Sequence, residues 1–161
     1  MIVKQDRQVA SYERLFVEEA ARVWRTVYVF SGGRDDIAEE ATAEAFARAI
    51  ANARGIRDPL AWIYRTAFRL AREELRRERR RLPEDRDVPV GLPALTGEVI
   101  SALRRLSPNQ RTAIVMRYEA DLTVDEIARR MGMQPATVRV HLFRGRARLR
   151  ELLGTEEIVD D

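Results

Sequence analysis

The chain contains no cysteine, and with cysteine go disulfides, thiolate metal sites and thiol nucleophiles. Histidine occurs once, as His141, which excludes a metal site built from several imidazoles; beside arginines on a helix, it reads as a polar surface residue. No apolar run approaches the roughly 18 residues that a membrane span needs. The opening Met1-Ile2-Val3-Lys4-Gln5-Asp6 lacks the basic-then-apolar layout of a signal peptide. No strand-like alternation is sustained, and no internal repeat is visible. Ser31-Gly32-Gly33, the nearest approach to a phosphate loop, lacks a following lysine and reads as a helix stop. No nucleophile, base and acid are grouped. These absences predict a cytoplasmic protein with no membrane contact, no cofactor, no metal and no catalytic activity of its own.

What is present is charge, and it is segmental. The 161 residues hold 29 basic and 26 acidic side chains, with 45% hydrophobic residues, enough for a globular core. Every basic residue except Lys4 is arginine. That preference fits recognition of phosphates or bases, and fits a GC-rich codon usage equally well. Position is more informative than the total. Asp35, Asp36, Glu39, Glu40 and Glu44 cluster in one stretch. Arg65–Arg81 holds eight arginines, Arg139–Arg150 five with no acid, and the tail is acidic. Different segments therefore suit different partners.

The stretch Leu82–Pro93 carries three prolines, a glycine and three acids without apolar period, the composition of a linker. It divides the chain into residues 1–81, a linker over 82–95, a back part over 96–153 and an acidic tail over 154–161. The fold class is all-α, with two small helical domains. In front, Tyr12, Leu15, Phe16, Val23, Trp24 and Val27 fall on helical spacing. Ile37–Asn52 forms a second helix, with Ala41, Ala45, Phe46, Ala49 and Ile50 as its buried stripe. A long third helix runs from Leu60 to Arg81. There Leu60, Ile63, Ala67, Leu70 and Ala71 share one side, and Arg65, Arg69, Arg72, Arg76, Arg79 and Arg80 line the other. That stripe is either a solvated face with Glu73–Arg77 pairing or, the reading favoured here, a surface that tracks phosphates.

In the back part Thr96 is a plausible N-cap, and Val99, Ile100, Leu103 and Leu106 form a stripe. Ser107-Pro108-Asn109-Gln110 and Thr123-Val124-Asp125-Glu126 have the form of capping boxes. The second box opens a short helix that Gly132 stops, and Pro135 starts the last helix, to about Leu153. A short helix, a glycine turn and a second helix make the helix-turn-helix pattern. Ala128 is small where the two helices cross. Val138, Leu142, Gly145, Leu149 and Leu152 give the last helix one seam. Its other face offers Arg139, Val140, Phe143 and Arg144, with Arg146, Arg148 and Arg150 further on. Arginine can bond guanine edges in the major groove, and apolar side chains can meet thymine methyls. Helix corners also occur in bundles that bind nothing; the acid-free arginine cluster tips the reading to DNA.

Taken together, these blocks resemble a bacterial RNA polymerase sigma factor of the extracytoplasmic-function group, over about Tyr12 to Leu153. Asp36–Phe46 is similar to the acidic helix of region 2, and Trp62–Ala71 with its arginine run to the promoter-melting helix. Leu106–Arg111 and Leu122–Ala128 resemble region 4, and Thr137–Leu149 its recognition helix. The resemblance implies that Glu39, Glu40 and Glu44 contact the clamp of core RNA polymerase, whose flap is a further partner. It implies that the Arg54–Pro59 loop and Trp62, Arg65, Arg69, Arg72, Arg76 and Arg80 open and hold the −10 element and spacer. Pro135, Arg139, Val140, Phe143, Arg144 and Arg146 would read the −35 element, the linker would thread towards the polymerase cleft, and an anti-sigma protein is a possible partner. The chain departs from the family pattern at Ala43, Arg69 and Val140-His141, so promoter preference does not carry over. Two other readings stay open: a dimeric helix-turn-helix regulator binding a palindrome, and a helical adaptor that binds only protein.

Overall fold

The computed structural model describes residues 2–81 and 97–155. Among these, every regular element is a helix. They are α1 (Ile2–Phe30), α2 (Asp35–Ala51), a 3-10 turn (Ala53–Gly55), α3 (Pro59–Arg81), α4 (Gly97–Arg104), α5 (Pro108–Tyr118), α6 (Val124–Met131) and α7 (Pro135–Leu153). The expected linker over 82–95, the Thr96 cap and all but the first two residues of the acidic tail lie outside the described residues.

Helices α1, α2 and α3 form the front half. Ala38, Ala41, Ala45 and Ala49 are buried along α2, in one core cluster with Val23 and Val27 of α1 and Ile63 and Tyr64 of α3. The ring of Phe30 meets that of Phe68 edge-on at 4.9 Å. Helix α1 ends where Gly32 and Gly33 take φ of +73° and +84°, the left-handed region that costs glycine little. This lets the Gly33 amide donate back to the Tyr28 carbonyl at 2.9 Å. Just beyond, Arg34 binds Asp36 at 2.7 Å and Glu78 at 2.5 Å, tying the start of α2 to α3. Those hydrogen bonds, Glu78 before Asp36, raise the Arg34 pKa further above its ordinary value.

Three details differ from expectation. Phe16 and Ile50 stay exposed, because they lie at the margin of the bundle where helical period continues but, among the described residues, no further helix covers them. Phe16 makes one ring contact, edge-on to Phe46 at 5.0 Å. Arg77 pairs with Glu74 at 3.1 Å, the i,i+3 neighbour, rather than with Glu73.

The back half is set by its caps. Ser107 and Gln110 form a complete capping box on α5, and Thr123 and Glu126 another on α6. Gly132 closes α6 at φ +66°. Val138, Leu142, Gly145 and Leu149 are buried in the seam of α7, and Ala128 is buried on α6. The buried side chains of both halves form one continuous apolar cluster.

Candidate nucleic-acid interface

At about 100° per residue, a seam at positions 138, 142, 145 and 149 leaves positions 139, 140, 143 and 144 pointing away from it. Arg139, Val140, Phe143 and Arg144 are all exposed, Phe143 at 63%. An exposed phenylalanine flanked by arginines is a poor solvent face and a good groove-reading one. Pro135 sits at the first turn of α7 and is half-buried. Arg146 differs from its neighbours: it is buried and donates Nη1 to the Tyr118 hydroxyl at 3.3 Å. It braces α7 against α5 from the inside.

On α3, Arg65, Arg69, Arg76 and Arg80 are exposed, while Arg72 is half-buried. Arg72 donates Nη2 to Asn109 Oδ1 at 3.3 Å and to Thr112 Oγ1 at 3.4 Å. Burial, and then the neighbouring Arg76, lower its pKa. The Arg65 guanidinium packs on Gly132, where an added Cβ would lie 3.3 Å from it. The arginine stripe thus has two sections, one against the back half and one free.

Trp62, half-buried, borders an open cleft of about 780 Å³ between the start of α1 and the 3-10 turn. Gln5, Gln8, Asn52 and Arg54 supply its polar wall, and Val9, Ile50 and Ile56 its apolar one. Sequence reasoning named Trp62 and the Arg54–Pro59 loop but not the α1 amides, because glutamine on a surface helix carries no signal of its own. On α2, Glu39, Glu40 and Glu44 are exposed, and Glu44 pairs with Arg48 at 2.7 Å. Glu40 and Glu44 edge a shallow groove with Leu70 and Arg77 of α3. Among the described residues, no three potential metal ligands come together, and no helix is long and apolar enough to cross a membrane.

These placements meet a sequence match of the same extent. Residues 96–149 match the family model described as "Sigma-70, region 4". The ECF RNA polymerase sigma factor SigE of Mycolicibacterium smegmatis is 32% identical over 159 residues, covering 89% of this chain and 62% of SigE. The back part of the chain thus matches sigma-70 region 4, and the chain as a whole is similar to extracytoplasmic-function sigma factors. It spans less than two thirds of SigE, whereas RNA polymerase sigma factor CarQ of Myxococcus xanthus, 28% identical, is covered to 92%, as is this chain. Two solved structures share the fold, the first of them a sigma factor. RpoE, in complex with the anti-sigma factor NepR from Bartonella quintana, matches 91% of this chain and 99% of its own with a TM-score of 0.72 at 19% identity. CnrH, in complex with the cytosolic domain of CnrY, matches 96% of this chain and 97% of its own with a TM-score of 0.68 at 18% identity.

Proposed function

We propose that this chain is a sigma factor that binds core RNA polymerase in the cytoplasm and directs initiation at promoters with −10 and −35 elements, without catalysis of its own. The observation that carries the reading is the outward face of α7, where Arg139, Val140, Phe143 and Arg144 are exposed together. Arginine there donates to guanine O6 and N7 while Val140 and Phe143 meet thymine methyls. Pro135 places the start of α7 at the groove, and Arg146 holds the helix at its angle through Tyr118.

Residues 1–81 act as the −10 reader. Arg69, Arg76 and Arg80 bind phosphates, joined by Arg65 and Arg72, and Trp62 offers a stacking surface at the mouth of its cleft. The exposed Glu39, Glu40 and Glu44 supply the acidic face for the polymerase clamp, where charge complementarity sets docking rate and register. Residues 96–153 carry the −35 reader and contact the flap. An anti-sigma protein, the class of partner named in the RpoE complex, suits the same exposed faces.

In vitro transcription with core polymerase on a promoter library tests this reading. Promoter-specific transcripts that require the chain are expected. If no promoter fires and the chain alone binds a palindrome as a stable dimer, a free-standing repressor or activator replaces it.

A further inference from the structure

Two guanidinium groups of the back half lie over rings of the front half. Arg130 of α6 stands 4.7 Å from the centre of the Tyr64 ring, and Arg111 of α5 stands 4.8 Å from that of Phe30. Their surroundings differ in charge. Around Tyr64 both signs are present, Arg130 and Arg22 with Glu19. Among the described residues, the charges that act on Arg111 are all arginines: Arg79 and Arg72 of α3 and Arg104 of α4. Three contacts bring the group together. Arg111 Nη1 donates to the Phe30 carbonyl at 3.2 Å, at the end of α1. Two residues on, a Cβ built on Gly32 would lie 2.9 Å from Arg104 Nε. Arg72 Nη2 reaches Asn109 Oδ1 at 3.3 Å and Thr112 Oγ1 at 3.4 Å, the residues that flank Arg111 on α5. Arg79 follows Arg72 by two turns on the same side of α3 and is exposed. Its neighbour Glu78 gives both carboxylate oxygens to Arg34.

This arrangement has donors and charge to spare. Arg111 is only 4% exposed, and its Nε, like that of Arg72, is buried without a hydrogen-bond partner. Burial first, and then Arg79, Arg104 and Arg72, push the Arg111 pKa down to about 10, so the group is still a cation at neutral pH. A buried cation among like charges is costly, and the Phe30 ring offsets only part of that cost. An anion offsets the rest. With Nη1 on the Phe30 carbonyl, the Nε–Nη2 edge of Arg111 remains, and such an edge can donate two parallel bonds to one phosphoryl group. The span favours more than one such group. Seven residues separate Arg72 from Arg79, about 10 Å along α3, a row that two or three linked phosphoryl groups match better than a single phosphate.

We propose that Arg72, Arg79, Arg104 and Arg111 form a binding site for a free oligophosphate, the phosphate chain of pyrophosphate or of a nucleoside triphosphate. The site lies between α3, the turn after α1 and the start of α5. Arg111 and Arg72 clasp the inner phosphoryl group through their Nε–H bonds, and Arg79 and Arg104 neutralise the outer charge. Occupancy relieves the crowding of like charges, so the ligand stabilises the chain. The site goes beyond the promoter reading and does not rest on it.

Isothermal titration calorimetry of the full chain at constant ionic strength tests the site. Pyrophosphate should bind one to one, and about tenfold or more tighter than inorganic phosphate or sulfate. ATP should displace it, whereas adenosine should not. Tighter binding of ATP than of pyrophosphate identifies a nucleotide as the source, and weaker binding the inorganic chain. Arg79→Gln should weaken pyrophosphate binding about tenfold, and adding Arg111→Lys should weaken it further. The pair Arg14→Gln and Arg129→Lys, at exposed positions elsewhere, changes net charge equally and should leave the affinity as it is. Circular dichroism checks that each variant folds, and Arg79→Gln alone carries the test if Arg111→Lys does not. A hundredfold excess over Kd should raise the parent's Tm by about 5–10 °C. In nitrogen-15 spectra the Nε–H resonances of Arg72 and Arg111, assigned from their lysine variants, should move on binding. Pyrophosphate binding no tighter than sulfate, an equal loss in the control pair, or unmoved Nε–H resonances overturns the site. Single-stranded DNA bound through Arg79 and Arg111 by a chain that does not bind pyrophosphate also overturns it, and gives these arginines to the promoter strand. Transcription by the holoenzyme reports on the proposed function alone, so the failure of either reading is seen apart from the other.

Discussion

Gly145 of α7 lies directly against Ile114 of α5: a Cβ built on the glycine would stand 2.9 Å from Ile114 Cγ1. Both residues are buried, so at this point α5 and α7 are separated by one hydrogen atom and one branched side chain. This close approach fixes how far α7 stands from the body, and with it the reach of Arg139 and Arg144. Two opposing effects act on Gly145→Ala. Alanine gains about 1 kcal/mol of helix propensity over glycine, whereas overpacking costs about 1–3 kcal/mol. With Ile114 held on all sides the overlap wins, and urea melts should show a net loss of about 1 kcal/mol. Adding Ile114→Ala makes room, so the two changes together should cost less than the sum of each alone. Strict additivity in that cycle would mean that the two side chains do not couple.

The capping boxes give a pH-dependent prediction. Glu126 accepts a hydrogen bond from the Thr123 amide at 2.8 Å. That bond, ahead of the nearby Arg130 and Arg129, holds the Glu126 carboxyl below its ordinary value of 4.5. A carboxyl depressed in the folded state contributes stability that is full above its unfolded pKa and is lost as pH falls through the folded one. The wild-type chain should therefore lose stability below about pH 4.5 more steeply than Glu126→Gln, whose amide oxygen still accepts but does not titrate. Parallel acid slopes for the two proteins would remove this linkage. At neutral pH, Thr123→Ala and Ser107→Ala should each cost about 1 kcal/mol, the usual worth of an N-cap.

Those caps were legible in the sequence because they combine residue type with fixed spacing: serine or threonine, then glutamine or glutamate three positions on. The seam of α7 was legible for a similar reason, since Val138, Leu142, Gly145 and Leu149 keep helical period and all become buried. Phe16 and Ile50 keep the same period and remain exposed. Periodicity names a face but not whether a neighbour covers it. The contact between halves was not legible at all. Arg111 and Arg130 read as two more members of an arginine-rich chain, and a guanidinium laid over a ring has no pattern that separates it from one in water. The same ambiguity hid Arg146, whose neighbours Arg144 and Arg148 are more exposed.

On α2 the three acids are not equivalent. Glu44 already pairs with Arg48 at 2.7 Å, whereas Glu40 edges the groove shared with α3. Glu40→Lys should slow association with core polymerase and make the residual binding less salt-sensitive, leaving helicity unchanged. Glu44→Lys should also cost a few tenths of a kcal/mol in helix stability through loss of its i,i+4 pair. Surface plasmon resonance against immobilised core polymerase reads the rates, and unaltered association for Glu40→Lys would remove this face from polymerase docking.

The two exposed arginine surfaces differ in what they can read. Arg139 and Arg144 stand five residues apart on the outward face of α7, with Phe143 between them and 63% exposed. A helix rises about 1.5 Å per residue, so their guanidinium groups span neighbouring base pairs of one groove. Removing a bidentate bond to a base costs about 1–3 kcal/mol and relaxes preference at one position only. Arg76 and Arg80 lie on the free section of α3, where they meet phosphates that carry no sequence information. Alanine at either should weaken binding to all promoters about equally and reduce the salt slope by about one unit for each phosphate no longer neutralised. Arg72 is withheld from this comparison by its bonds to Asn109 and Thr112, so Arg72→Ala changes the joint between halves as well as the stripe. The measurement is holoenzyme affinity for promoters with single-base changes in the −35 element, at several salt concentrations, for each alanine variant. If Arg139→Ala and Arg144→Ala weaken every −35 variant by the same factor, both residues bind phosphates. Base reading then falls to Val140, Phe143 and the first turn of α7, where apolar contact with thymine methyls would predict a preference for A·T pairs.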